Sequence, residues 1–315
     1  MTTLADSLRA ARGMAHKADL QAILPALAAG TVRIGDDCAA IPDGDGFLLL
    51  AIEGFVEDFV AADPYFAGYC GVMVNASDVY AMGGRPIAVV DAIWSRGAAT
   101  AEPVMRGLSD AAALYGIPVV GGHSNLRAAS GQLAVAILGR AQKLLTSFDA
   151  KPGDLLVAAI DLRGGFRGNT PYWDASTGKS APTLRAALDV LPALAEAGHC
   201  RAAKDISMAG LAGTALMLAE ASRIGVSIML DAIPAPPATD RTKWLTAFPS
   251  YGFLLAVAEP HLAAVLAEFS AAGIAAAMIG NCNDTGRVTL HGADDAPETL
   301  WDFSTTDFMK VACHA

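Results

Sequence analysis

Apolar residues follow two rhythms along this chain, and the rhythms change at Gly, Pro and Asp. Short apolar runs over residues 47–52, 87–94, 117–120 and 132–138 read as buried strands. A second set of strands is expected over 155–160, 226–230, 253–257 and 275–279. Between them, apolar positions recur at helical spacing. Leu20, Ile23, Leu24 and Leu27 extend a helix expected over 4–29, with Gly30 as its stop. Asp63-Pro64 opens another helix, because Asp can cap the first amides and Pro suits the first turn. Gly83-Gly84 should close it, with Pro86 beyond. Further helices are expected over 102–115, 183–197, 211–223 and 261–272.

Punctuation divides these elements. Residues 35–46 form a turn-rich stretch holding Asp36, Asp37, Asp43 and Asp45, and 234–237 read as a loop. Lys151-Pro152-Gly153-Asp154 is a turn signal, which places a domain boundary between 1–148 and 149–315. Residues 161–181 are rich in Gly, Arg and Asn without period, and a loop of that length is expected to be functional or mobile. Strands alternating with helices in both halves predict an α/β fold, or α+β layers, in two domains. The runs 47–52 and 132–138 lack the alternation of strands with one wet face, so a second subunit is expected to cover them.

Composition narrows the possible functions. The formal net charge is −10 over 315 residues, which argues against nonspecific binding to nucleic acid or anionic membranes. An acidic protein that handles phosphate must recruit a cation. The mean hydropathy is +0.40, yet Gly, Pro or a charge breaks every apolar stretch before it could span a bilayer. Asp6 and Arg9 interrupt the N-terminus, unlike a signal peptide. The five cysteines (Cys38, Cys70, Cys200, Cys282 and Cys313) form no C-x-x-C pair and fit reduced thiols in the cytoplasm. His16, His199, His261, His291 and His314 show no metal-ligand spacing.

Four segments carry candidate chemistry. Gly35-Asp36-Asp37-Cys38-Ala39 sets two carboxylates in a Gly-flanked turn, able to ligate a hard cation or simply to face water. Glu53 follows the strand at 47–52, where ligands commonly bind. Asn75 and Asp78 lie three apart on one helical face among apolar neighbours, so they need partners, whether a metal or amides. Gly121-Gly122-His123-Ser124 follows a strand, and paired glycines let a phosphate approach the backbone. Arg163 and Arg167, among glycines, could bind an anion or sit in solvent.

Taken together and in order, GDDCA, the acid after a strand, N-x-SD-x-x-AMGG-x-P and the later VGG resemble one superfamily. It contains thiamine-monophosphate kinase, selenophosphate synthetase and aminoimidazole-ribonucleotide synthetase. Lys204-Asp205-Ile206-Ser207-Met208-Ala209-Gly210-Leu211 is similar to its D-[IL]-S-x-G-G-L segment. The resemblance runs from about residue 35 to 280 and implies a synthetase-like fold. In it, N-terminal domains pair into a dimeric β-barrel and the C-terminal domain is an α/β sandwich.

By the same resemblance, Asp36, Asp37, Glu53 and Asp78 hold magnesium on ATP phosphates, with Asn75 and Gly35 beside them. Gly121, Gly122 and His123 contact phosphate, and Asp205, Arg163 and Arg167 lie on the acceptor side. The implied activity is Mg2+- and ATP-dependent phosphoryl transfer to a small-molecule acceptor by a homodimer. A nucleotide-binding protein without turnover, and a ligase or dehydratase working through a phosphorylated intermediate, are the alternatives. The chain departs from the kinases by placing His123 where they carry an aspartate after the paired glycines, and imidazole is a poor magnesium ligand. Its 249–253 segment lacks the acids of their late Gly-Gly-Glu-Asp-Tyr-Glu motif, and no Cys precedes Cys38 as in the selenophosphate enzymes.

Overall fold

A computed structural model describes residues 2–27, 30–293 and 296–311, so Cys313, His314 and the end of the expected first helix lie outside the described residues. In chain order the first half contains α1 (Leu4–Arg9), α2 (Arg12–Ala18), β1 (Ala39–Asp43), β2 (Gly46–Phe55), α3 (Glu57–Ala62) and α4 (Pro64–Ala81). It continues with β3 (Arg85–Trp94), α5 (Ala98–Tyr115), β4 (Val119–Asn125) and β5 (Gln132–Ala141). The second half begins with β6 (Leu155–Ile160), β7 (Gly165–Phe166), β8 (Trp173–Asp174), α6 (Ala181–Leu188), α7 (Val190–Glu196) and β9 (Ala202–Asp205). There follow α8 (Gly210–Ser222), β10 (Gly225–Met229), α9 (Arg241–Leu245), β11 (Gly252–Val257) and α10 (Leu262–Ala271). The last strands are β12 (Ala275–Asn283), β13 (Arg287–His291) and β14 (Glu298–Asp302).

Two mixed sheets organise these elements. The first has the order β1-β2-β5-β3-β4, with β3 and β4 parallel across the α5 crossover. The second has the order β14-β13-β10-β12-β6-β11-β9. Helix α4 forms where it was expected: Asp63 accepts a hydrogen bond from the Phe66 amide, Pro64 occupies the first turn, and Gly83 (φ 74°) follows the helix. From Phe66 onward every α4 residue is buried. Two glycines permit that crowding against α5. A Cβ on Gly68 would lie 1.8 Å from the Val104 carbonyl oxygen, and one on Gly107 would lie 1.9 Å from that of Tyr65. One apolar core joins α4 and the inner face of the first sheet to Val157, Ala159, Phe253 and Leu255 of the second. The other face of the second sheet packs on α8.

Several expectations change. The helix expected over 4–29 is four short pieces, because the chain bends at Ala11 (ψ 136°) and Pro25 opens a 3-10 turn. Residues 4–26, which the expected division counts with the first domain, pack on the second sheet. Leu8 and Met14 enter its core, and Ala5 donates its amide to Glu298. The turn-rich stretch 35–46 contains β1, which pairs with β2 from Ala39↔Leu50 to Asp43↔Gly46. The helix expected over 183–197 breaks at Asp189, since Pro192 has no amide to give the Leu188 carbonyl. Helix α3 and strands β9, β13 and β14 carry too little periodicity of their own to be read locally.

The apolar strands do alternate in their environment. Leu133, Val135 and Ile137 of β5 are buried against α4, while their neighbours face the other side. That other face carries Leu50, Ile52 and Val90 at 47%, 69% and 42% exposure, so half of each apolar run is uncovered within one chain.

Candidate functional site

The buried helix α4 carries Asp78 to the seam between the sheets, where the loop before β1 and the end of β9 meet it. One carboxylate oxygen each of Asp37, Asp78 and Asp205 lie within 4.8 Å of one another. Asp205 is 1% exposed and Asp78 5% exposed. Both Asp205 carboxylate oxygens are buried without a hydrogen-bond partner. A buried carboxylate left unpaired costs several kcal/mol as an order of magnitude.

A single buried ammonium partly answers the charge. Lys204 donates to Asp37, and both side chains are 5% exposed. The Asp205 amide also donates to Asp37, at 3.3 Å. Burial, then the Asp37 charge, raises the Asp205 pKa to about 8. Burial, then Asp205, Glu53 and Asp37, pushes Asp78 well above the usual range. Burial opposes the charge on Lys204, but Asp37, Asp36 and Asp205 together push its pKa up. Carboxylate oxygens of this kind suit a hard divalent cation, and their repulsion falls when one binds.

The other residues singled out in the sequence divide into groups. Asp36 adjoins the cluster but is engaged elsewhere: its carboxylate accepts from the Ser147 amide at 2.9 Å and the Ser147 hydroxyl at 2.5 Å. Burial and the Asp37 charge raise its pKa to about 6. Gly35 (φ 110°) starts that loop beside Val311, where a Cβ would lie 2.4 Å from a methyl group. Glu53 lies within β2, which runs to Phe55, rather than at a strand mouth. Burial raises its pKa, and it feels Lys17, Asp37 and Lys204. Asn75 braces the helix, donating to the carbonyls of Gly71 at 2.8 Å and Val135 at 3.0 Å, while its own oxygen is buried without a partner.

Gly121, Gly122 and His123 occupy the middle of β4, not a turn after a strand. The parallel register with β3 extends that strand to Asn125. Arg163 and Arg167 do not reach the acidic cluster. Arg163 grips Asp161 at 2.7 Å, and Arg167 bridges Asp63 at 2.6 Å and Asp174 at 3.1 Å while lying over the Phe66 ring. The loop 161–181 is thus pinned by ion pairs and the short β7–β8 hairpin. Lys204, Lys17 and Ser147 were not singled out. Lys204 adjoins Asp205 in the sequence, which was a usable signal; the other two are brought in only by tertiary packing.

These features define a class: a two-domain mixed α/β protein whose sheets share one core and enclose a buried acidic cluster at their seam. Residues 35–141 match the family described as AIR synthase related protein, N-terminal domain, and residues 151–293 match its C-terminal domain. The chain belongs to the AIR synthase-related family. It is 45% identical over 309 residues to protein sll0787 of Synechocystis sp., covering 96% of each chain. It is also 31% identical over 137 residues to the thiamine-monophosphate kinase of Pyrococcus horikoshii, covering 41% of this chain and 43% of that one. In structure it resembles T. maritima PurL complexed with ADP, with a TM-score of 0.76 and 17% identity, over 90% of this chain and 48% of that one. The chain therefore spans about half the length of PurL. AaThiL complexed with AMPPCP and TMP aligns with a TM-score of 0.66 and 19% identity, over 86% of this chain and 93% of that one. Among the described residues, no helix is long and apolar enough to cross a membrane.

Proposed function

We propose that this protein is a magnesium- and ATP-dependent enzyme that activates a small molecule by phosphoryl transfer. The observation that carries the reading is the buried, unpartnered Asp205 carboxylate facing Asp37 and Asp78. Asp37, Asp78 and Asp205 would hold Mg2+, whose charge when bound neutralises phosphate oxygens. Lys204 fixes the Asp37 carboxylate, and Ser147 fixes the loop through Asp36. Glu53 adds negative charge at the edge of the cradle. The exposed backbone at Gly121 and Gly122 and the His123 side chain are assigned to phosphate contact. Arg163 and Arg167 are held by carboxylates on the outer loop, so we assign them to shaping the loop beside the acceptor. Family relatives named as a kinase and solved with ADP or AMPPCP support the nucleotide assignment.

The open apolar face of the first sheet supports a homodimer. Leu50, Ile52 and Val90 would be covered by the same face of a second copy, closing a barrel. Calorimetric titration of the whole chain with ATP, with and without Mg2+, tests the central reading. Magnesium-dependent binding and ADP release stimulated by a small acceptor are expected. Absence of any magnesium-dependent nucleotide binding would overturn it.

A further inference from the structure

A cavity of about 40 Å3 lies between the second sheet and helices α6 and α10. Ala159, Leu184, Ala187, Phe253 and Phe269 form most of its wall, and Ser250 and Ile274 are among its less buried lining residues. Strand pairing sets it close to the acidic cluster. Ala159, Phe253 and Asp205 stand side by side across β6, β11 and β9, and so share one face of the sheet. At about 4.8 Å per strand, Phe253 is one step from Asp205 and Ala159 is two, roughly 10 Å. The Ser250 amide donates to the Ile206 carbonyl at 3.2 Å, and the Ile206 amide donates to the Gly252 carbonyl at 2.9 Å, which straps the lining to the residue after Asp205. Most polar groups of the lining are engaged. Arg163 holds both Asp161 carboxylate oxygens, at 2.8 and 2.7 Å, and the Ser176 hydroxyl meets those of Tyr69 at 2.7 Å and Tyr115 at 2.9 Å. The Ser250 hydroxyl is buried without a hydrogen-bond partner among the described residues. Ser250 also has a φ of 52°, in the left-handed region that side chains disfavour. The Tyr251 hydroxyl is unpartnered too, but its ring packs on Trp244 in the core of the opposite sheet face.

We infer that this cavity is the acceptor pocket, and that it takes an uncharged, mainly apolar end of the small molecule with the Ser250 hydroxyl as its hydrogen-bond partner. The inference rests on the proposed phosphoryl transfer and adds the class of acceptor to it. One water needs about 10–15 Å3 of such space, so the cavity admits roughly three waters, or most of a short branched alcohol. A charged end is excluded. Asp161 is the one charged residue in the lining, Arg163 already neutralises it, and a second charge would be buried without a partner. A neutral hydroxyl or carbonyl, by contrast, satisfies Ser250 as donor or acceptor. The end that receives the phosphoryl group then extends past Phe253 toward the cation at Asp205.

The test uses the whole chain with three probes of matched shape: isobutanol, isobutyrate and isobutylamine. Binding is followed by NMR of the lining side chains in the wild type, in Ser250→Gly, which removes the hydroxyl and suits the left-handed backbone, and in Ala187→Leu, which fills the cavity. Isobutanol should bind saturably, and the two charged probes roughly tenfold or more weakly. Ser250→Gly should weaken isobutanol roughly three- to tenfold, as for a lost neutral hydrogen bond, and Ala187→Leu should abolish its binding. The melting temperature of Ser250→Gly should hold or rise, because no partner within the fold is lost. In Mg-ATP, the rate of ADP release by the wild type should change over the isobutanol concentrations that fill the cavity. No saturable binding marks a cavity that holds water only and overturns the inference. So do charged probes that bind as well as the alcohol, affinities untouched by both variants, or a fall in the Ser250→Gly melting temperature with affinity intact. ADP release indifferent to a filled cavity overturns the link to the acceptor. A wild type without magnesium-dependent ATP binding overturns the parent reading instead, and the NMR titrations still decide what the cavity takes.

Discussion

Replacing Asp205 by Asn tests most directly whether the cradle is built for a cation. Asp205 is buried with both oxygens unpartnered, and its pKa is raised from 3.8 to about 8 by burial and by Asp37. A carboxylate whose folded pKa is raised destabilises the fold as pH climbs from its unfolded to its folded value. Without a cation, stability should therefore fall between pH 4 and pH 8. At about 1.4 kcal/mol per pH unit, the cost at neutral pH is on the order of 4 kcal/mol. Asn removes the charge but leaves a buried amide, which takes back about 1–3 kcal/mol. The net expectation is a gain of about 1–3 kcal/mol, or a rise of several degrees at roughly 2–4 °C per kcal/mol. The same variant should lose magnesium-dependent ATP binding. Thermal melts in chelator at pH 5, 7 and 8.5, repeated with Mg2+, read both effects. Mg2+ should raise the wild-type melting temperature most at high pH and leave the variant unmoved. A lower melting temperature for Asp205→Asn in chelator, or magnesium stabilisation equal to that of the wild type, would refute the reasoning.

Three further outcomes follow from the same geometry. Lys204→Met leaves Asp37 buried without its ammonium, so melting in chelator should fall by the equivalent of about 3–5 kcal/mol, with partial recovery in Mg2+. Arg167→Ala removes partly exposed pairs to Asp63 and Asp174 and the contact with Phe66, so the loss should be nearer 1–2 kcal/mol. Faster amide exchange across 165–174 should accompany it, and unchanged exchange would show that the ion pairs do not order the loop. Ile52→Glu places a charge on the open sheet face, so sedimentation should find a dimer for the wild type and a monomer for the variant. A monomeric wild type at micromolar concentration would remove the dimer.

Local chemistry alone determined much of this protein. Asp63-Pro64 and Gly83-Gly84 bounded α4, because capping and helix termination act within one turn. The family resemblance of the acidic motifs assigned Asp36, Asp37, Glu53 and Asp78 to the cation and Asp205 to the acceptor side, whereas the structure groups Asp205 with Asp37 and Asp78. Periodicity could not say which face of β2 or β5 lies under α4, since an apolar run reads the same whether one or both faces are covered. Nor could it separate Asp36, held by Ser147, from its neighbour Asp37, held by Lys204, because adjacent residues differ only in which distant segment each meets. The glycines at 121 and 122 read as a turn, yet β3 supplies their parallel partner and draws them into a strand. Residues 4–26 showed helical spacing but not where it would bend, for the bends fit them to the second sheet. Tertiary structure decided these points because each depends on which remote surface excludes water from a given side chain, and no local pattern encodes that.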